Sequence, residues 1–548
     1  MKVPSYFSRR SADLWSAVSQ ASGLLLRQVE HGFEVTNPSR NADLQTGSLR
    51  YGRPEVCATC VLGLLWVVLL FVLPAAPAQE AKRASTAAWE HSIVNVEVAR
   101  RQYDYSQPWT KRSNRHQKTG LVVGEHQILT TAEELFDRTL VRLQKDGRGR
   151  WYMGEVAWVD YYANLALVTT SEPGFWNGLK PAKLGGPMPQ DGSLQILRWR
   201  AGNLENRRAE FTQFSVREGQ LAAVNQVVIE ADCDIQGAGW GEPFLADSHA
   251  VGLLYSHDGR TCTALTASFI NAILDAHSKG RYHGLGYFDF FWQSAQNPAS
   301  LARLNLPGEP RGVIIIDVPP RPDGGEQVLK PQDIILKIDG FDIDIQGDYE
   351  DPEYGHVMLE NLSTRGKWAG DDFKLQIWRD GKPMEVIYRL PKYEHNNTLV
   401  PFATFDQEPE YLVVGGLVFQ PLTDPYLQGW GAEWKRRAPF RMLYYRGEPP
   451  TRERPALVVL SQVLPDSYNI GYQEYRFLVL DKVNGQNIAR LQDLRDALKK
   501  PRDDFHVFEF MQSDSLRRIV LAAGVTEADA TARVLKRYGI EEALHLAQ

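Results

Sequence analysis

Short apolar runs rich in valine and isoleucine, separated by turn residues, recur through the middle of this chain and leave little room for any architecture but strands. Gly120-Leu121-Val122-Val123 is followed by a brief polar hairpin and Ile128-Leu129-Thr130, and residues 151–159 alternate. Val227-Val228-Ile229-Glu230-Ala231-Asp232 and Ala250-Val251-Gly252-Leu253-Leu254-Tyr255 flank a glycine-rich stretch. Runs this short, bounded by turn residues, predict β-strands, because branched side chains pack on a pleated surface. At 548 residues the chain is too long for one core, and about 150 residues per domain implies three or four units.

Charge excludes several partners. The formal net charge is −6, with 61 basic and 67 acidic residues mixed along the chain, so no basic stripe argues for nucleic acid. Hydrophobic residues at 43% and aromatics at 11% belong to a globular protein. The twelve histidines form no ligand cluster in the sequence, and neither a metal nor a cofactor is expected. The run Val61-Leu62-Gly63-Leu64-Leu65-Trp66-Val67-Val68-Leu69-Leu70-Phe71-Val72-Leu73 follows Arg50 and Arg53 and ends in Pro74-Ala75-Ala76-Pro77-Ala78. A basic flank, a short apolar core and a small-residue exit predict a signal peptide over 57–78, cleaved before Gln79, with a membrane anchor as the alternative. Residues 1–56 form an N-terminal extension, either upstream of the true translation start or an unusually long leader. The expected destination is exported, periplasmic or otherwise extracytoplasmic.

Three of the strand-flanking segments resemble the HtrA/Deg family of trypsin-like serine proteases. Ile128-Leu129-Thr130-Thr131-Ala132-Glu133 is similar to the family's I-L-T-N-A-H, and Asp160-Tyr161-Tyr162-Ala163-Asn164-Leu165-Ala166-Leu167-Val168 to its D-x-x-x-D-L-A-L-L. Gly237-Ala238-Gly239-Trp240-Gly241-Glu242-Pro243 stands where the family carries its nucleophile loop. The resemblance therefore implies that the catalytic histidine, aspartate and serine are replaced by Glu133, Asn164 and Trp240. Hydrolysis needs an oxygen nucleophile, an imidazole to move its proton and a carboxylate to orient the imidazole. Tryptophan offers only an indole N–H, so an acyl-enzyme is excluded there. Displaced pairs are the alternative: Ser248-His249 and His257-Asp258 are near in sequence, but neighbouring residues on a strand face opposite sides. The same resemblance puts Cys233 and Cys262 on adjacent strands; a disulfide and two buried thiols both remain open.

The resemblance continues downstream and implies a mainly β chain: a trypsin-like double β-barrel over 79–282, a first PDZ domain over 283–391 and a second PDZ-like domain over 398–548. Phe269, Ile270, Ile273 and Leu274 predict a helix closing the barrels, ended by Gly280. Gly284-Leu285-Gly286-Tyr287 is similar to the family's carboxylate-binding loop, where a peptide C-terminus would be held by backbone amides. Self-occlusion by the aromatic run Tyr287-Phe288-Asp289-Phe290-Phe291-Trp292 is the alternative. Gln332 replaces a glycine in the following turn, and Lys392-Tyr393-Glu394-His395-Asn396-Asn397 reads as a polar linker. Tyr411-Leu412-Val413-Val414-Gly415-Gly416-Leu417 and Val458-Val459-Leu460-Ser461-Gln462-Val463-Leu464 resemble the second PDZ domain of plant-type Deg proteins. The expected partners are C-terminal peptides or unfolded proteins, other copies of the chain in a trimer or a multiple of it, and an active protease.

Overall fold

The computed structural model describes residues 89–233, 240–246, 248–321, 324–395, 398–511 and 518–547. The extension over 1–56, the signal segment over 57–78 and Gly237 to Gly239 lie outside them. Among the described residues no helix is long and apolar enough to cross a membrane.

Twelve strands build two closed barrels. β1 (Ile93–Tyr103), β2 (Lys111–Gly124), β3 (Gln127–Thr130), β4 (Arg138–Gln144), β5 (Tyr152–Asp160) and β6 (Leu165–Thr169) close in the order β1-β2-β3-β6-β5-β4. β7 (Ser193–Arg200), β8 (Asn203–Glu218), β9 (Asn225–Cys233), β10 (Pro243–Ala246), β11 (His249–Asp258) and β12 (Thr261–Thr266) close as β10-β11-β12-β9-β8-β7. Closure leaves no open sheet edge. Cys233 and Cys262, at the end of β9 and on β12, are joined by a disulfide with Cα atoms 6.3 Å apart. Helix α1 (Ala267–Ser278) begins where the Thr266 hydroxyl accepts the Phe269 N–H at 3.2 Å. Its face of Phe269, Ile270 and Ile273 enters the core shared by both barrels, which also takes in Leu285, Trp368 and Tyr393 from beyond them.

The next unit is a sheet ordered Phe291–Ser294, Val313–Asp317, Ile334–Ile338, Asp372–Arg379, Lys382–Arg389. A hairpin, Asp348–Asp351 with Gly355–Met358, and the short helix Leu359–Thr364 fasten it to the second barrel. Tyr354 meets Phe214 of β8 edge-on at 4.9 Å, and the Thr364 hydroxyl donates to the Asn225 carbonyl at 3.1 Å. The polar reading of 392–397 is corrected for its first part: Tyr393 and His395 are buried, packed against Tyr162. Aromatic burial there outweighs the polar look of the neighbouring residues. The last unit orders its sheet Arg518–Ala522, Phe505–Phe510, Leu478–Val483, Val458–Val463, Leu417–Pro421, Tyr411–Val414, Leu544–His545, with the helices Leu491–Leu498 and Val525–Tyr538 against it.

Gln332 keeps the turn that glycine serves in the resembling proteins, at φ 76°, with its N–H donated to the Ile315 carbonyl at 2.8 Å. A side chain in that region carries roughly 1–2 kcal/mol of strain, partly offset by glycine's larger unfolded-state entropy. Gln332→Gly is therefore expected to stabilise this unit by about 0.5–1 kcal/mol, read as a higher transition midpoint in scanning calorimetry of the full chain. An unchanged or lower midpoint would mean that the turn is unstrained.

Candidate functional site

The two barrels bring the replaced positions to one buried centre. Glu133 follows β3 in the loop that leads to β4, and Asn164 closes the β5–β6 turn in the left-handed region at φ 53°. Both are buried, and the Asn164 Oδ1 accepts the Glu133 backbone N–H at 3.0 Å. Glu133 Oε2 and Asn164 Nδ2 find no hydrogen-bond partner among the described residues. Trp240, half-buried, hangs over this centre because its carbonyl accepts the Thr119 N–H at 3.0 Å. Gly241 behind it is required by space: at φ 92° a Cβ there would lie 2.5 Å from the Thr119 carbonyl oxygen.

Lys118 of β2, which sequence reasoning passed over, joins these positions. Its Nζ donates to the Thr131 Oγ1 at 2.8 Å and to the Glu133 carbonyl at 2.6 Å, and stands 6.0 Å from the centre of the Trp240 ring. The signal was the register: Lys118 lies two residues before Gly120 and four before Val122, on the face that turns inward, though it ends the charge-rich stretch from Lys111. Burial pushes the Lys118 ammonium down to about 8, against the pull of Glu133, Glu134 and Glu242. Burial likewise pushes the Glu133 carboxyl up to about 8, against the pull of Lys118. Beside them Glu134 pairs with Arg100 at 2.9 Å and with His116 at 3.3 Å, and His116 meets Trp240 edge-on at 6.3 Å.

A lysine against a hydroxyl is a known way to activate a nucleophile, so Lys118 and Thr131 have the residue types of a catalytic pair. Access decides against it. Thr131 has no exposed surface, and Lys118 is 3% exposed. A scissile carbonyl has no approach to that oxygen, so the pair is structural. The other pairs stand apart on β11: His249 opens the strand, with its ring nitrogen 3.2 Å from the Pro187 carbonyl, and exposed His257 and Asp258 close it.

The loop Gly284 to Tyr287 is bonded to the chain's own segment 390–393. Gly286 bridges Lys392 in antiparallel fashion, the Tyr287 N–H donates to the Pro391 carbonyl at 3.3 Å, and the Leu285 carbonyl accepts the Tyr393 N–H at 3.0 Å. Leu285 is buried, and a Cβ at Gly286 would meet Leu390 at 2.3 Å. Phe288, Phe290 and Trp292 fill the core of that unit. In the last unit the Gly415 N–H donates to the Thr531 hydroxyl at 2.8 Å, and Asn469 Nδ2 holds the Gly415 and Leu464 carbonyls at 2.9 and 2.8 Å. One trio of metal-capable side chains missed in the sequence, Asp344, Asp348 and His356, gathers within 4.8 Å. Its Asp344 Oδ1 already accepts the N–H groups of Gln346, Gly347 and Asp348 at 2.7 to 2.9 Å, as in an ordinary turn.

The centre has a definite pH signature. Glu133 has a folded pKa raised above its unfolded value, so the folded state holds the extra proton between about 4.5 and 8 and stability falls as pH rises through that window. Lys118 has a lowered one, so stability rises again from about 8 to 10.5. Urea midpoints across these windows are expected to pass through a minimum near pH 8, and Glu133→Gln is expected to flatten the acid limb. An acid limb unchanged by Glu133→Gln would remove Glu133 as its source.

Residues 400–544 match the PDZ domain family. Along most of its length the chain is similar to Protease Do-like 2, chloroplastic, of Arabidopsis thaliana, at 26% identity over 474 residues that cover 83% of this chain and 74% of that protein. It is similar to Putative protease Do-like 3, mitochondrial, of the same plant at 25% identity, covering 74% of this chain and 71% of that protein. Among solved structures, an HtrA-type protease AlgW with decapeptide aligns over 57% of this chain and 98% of its own, at 14% identity and a TM-score of 0.41.

Proposed function

We propose that this homologue of the HtrA/Deg proteases, with its trypsin-like barrels and PDZ domain, is a pseudoprotease: a scaffold in protein quality control that holds partners and does not hydrolyse them. The observation that carries this reading is the composition of the buried centre, Glu133 bonded to Asn164, Lys118 bonded between Glu133 and Thr131, and Trp240 above them. Acyl transfer needs a reachable oxygen or sulfur nucleophile beside a base, and the one hydroxyl bonded to Lys118 is wholly buried. An oxyanion hole alone would leave about 10³–10⁴-fold catalysis over water, far too little for peptide turnover. The chloroplastic and mitochondrial relatives are in keeping with delivery across a membrane into an organellar or extracytoplasmic compartment.

Two modes of scaffolding follow from the PDZ units. Capture of C-terminal peptides or unfolded chains at Gly284 to Tyr287 requires the pairing with 390–393 to open first. The self-pairing of that loop, together with the bond from Gly415 to Thr531, favours the second mode, in which the grooves are filled internally and the units support a homo-oligomer, alone or with an active protease partner.

The purified chain is expected to show no fluorophosphonate labelling and casein turnover equal to a protein-free control, while sedimentation gives the mass of a trimer or a multiple of it. Stoichiometric labelling would overturn the pseudoprotease reading. A monomer that also binds no free C-terminus would remove the scaffold.

A further inference from the structure

We infer that the cleft between the β1–β2 loop of the first barrel and the last unit is a binding site for a small carboxylate with an apolar, ring-sized body. The cleft encloses about 260 Å³ and is lined by Tyr105, Tyr426, Trp430, Gln462, Arg476 and Phe477, among others. It is independent of the centre at Glu133 and of both glycine loops. Two bonds hold its barrel wall: Gln420 Nε2 donates to the Tyr105 carbonyl at 3.0 Å, and Gln462 Nε2 to the Ser106 carbonyl at 2.6 Å.

Three observations point to a ligand of this chemistry. First, the Tyr426 side chain is 4% exposed, yet its hydroxyl has no hydrogen-bond partner among the described residues. A buried phenol without a partner carries the full desolvation cost of its O–H, so the aromatic wall of the cleft is held at a cost to stability. Second, Phe477 sits at φ 61°, an outlier for a bulky aromatic residue, with its N–H held by the Leu460 carbonyl at 2.7 Å. That strained backbone sets the ring at the cleft, edge-on to Trp430 at 5.0 Å, while Trp430 meets Tyr426 at 5.6 Å. Third, the guanidinium of Arg476 lies 5.2 Å over the Phe477 ring and makes no ion pair among the described residues. Aromatic walls interleaved with polar groups and a cation at the rim match an anion whose charge stays at the Arg476 guanidinium and whose ring enters against Trp430 and Phe477. The volume suits one ring with a short acid arm.

The same chemistry is offered by a free acid and by the last residue of a peptide ending in phenylalanine. The full chain is titrated by calorimetry with 3-phenylpropionate, with its primary amide, and with an acetylated tetrapeptide ending in phenylalanine as acid and as amide. The acid form of one or both probes is expected to bind about tenfold more tightly than its amide, a preference that Arg476→Gln abolishes. Preference confined to the free acid assigns the site to small molecules, and preference extending to the peptide assigns it to chain termini. No heat with any probe at about 10 mM, an acid no tighter than its amide, or a preference that survives Arg476→Gln would each overturn the assignment.

Discussion

The turn between β5 and β6, Asp160-Tyr161-Tyr162-Ala163-Asn164, ties the site, the barrels and the chain beyond them into one body. Asp160 accepts the N–H groups of Tyr162 and Ala163 and the Tyr282 hydroxyl, the last at 2.6 Å, which links the turn to the segment leaving α1. Tyr161 stacks on Phe405 at 4.3 Å and donates its hydroxyl to Asp406 at 2.6 Å. Tyr162 packs on Tyr393 and His395, and Asn164 holds the loop of Glu133. Five residues therefore fix both the buried centre and the path of the chain between its last two units. Loosening the turn would loosen all of them together.

Most polar groups of this turn are spent on bonds within the fold, to Glu133, Tyr282 and Asp406. The Lys118 ammonium, bonded to the Glu133 backbone carbonyl, keeps the Glu133 loop, and with it Asp137 and Arg138, at the height where Asp406 can reach them. The Asp137 N–H donates to Asp406 at 2.8 Å and the Arg138 guanidinium stands 3.6 Å from it. The centre thus has the bonding pattern of a joint, which is what the proposed scaffold would require of a protease-like frame.

The strands were legible because their signal is local. Val and Ile runs such as 121–123 and 227–229 need no partner to declare themselves, and the glycine at 241 marks a place where a Cβ would come within 2.5 Å of a carbonyl oxygen. The helix expected from Phe269, Ile270, Ile273 and Leu274 is found, with Leu274 only partly buried beside the other three. What stayed hidden was non-local. Lys118 reads as the end of a charge run, and only closure of the barrel turns it inward. Tyr393 and His395 sit among Lys, Glu and Asn in sequence, and their burial depends on a tyrosine more than two hundred residues earlier. The cleft at Tyr426 is divided among the β1–β2 loop, a short helix and a strained residue, so no window of sequence contains it.

The joint also explains why acid should neither open nor lock it in a simple way. His395 is packed by Tyr162, Tyr393, Phe402 and Phe405 with both ring nitrogens unbonded among the described residues, and burial lowers it to about 4. The unfolded chain binds that proton first, so between about 4 and 6.5 the imidazole makes the fold more stable as pH rises. Asp137 has the opposite sign: burial, then the neighbouring Asp406, raises it to about 7, and the folded chain holds the proton that the unfolded one releases above 3.8. Its contribution falls as pH rises across nearly the same span. Two titrating groups of opposite slope, set within one aromatic joint, cancel over most of the acid range. Glu133 of the buried centre titrates across the same range without such a counterpart. The joint therefore carries little of the pH dependence, and the fall in stability toward pH 8 belongs to the buried centre.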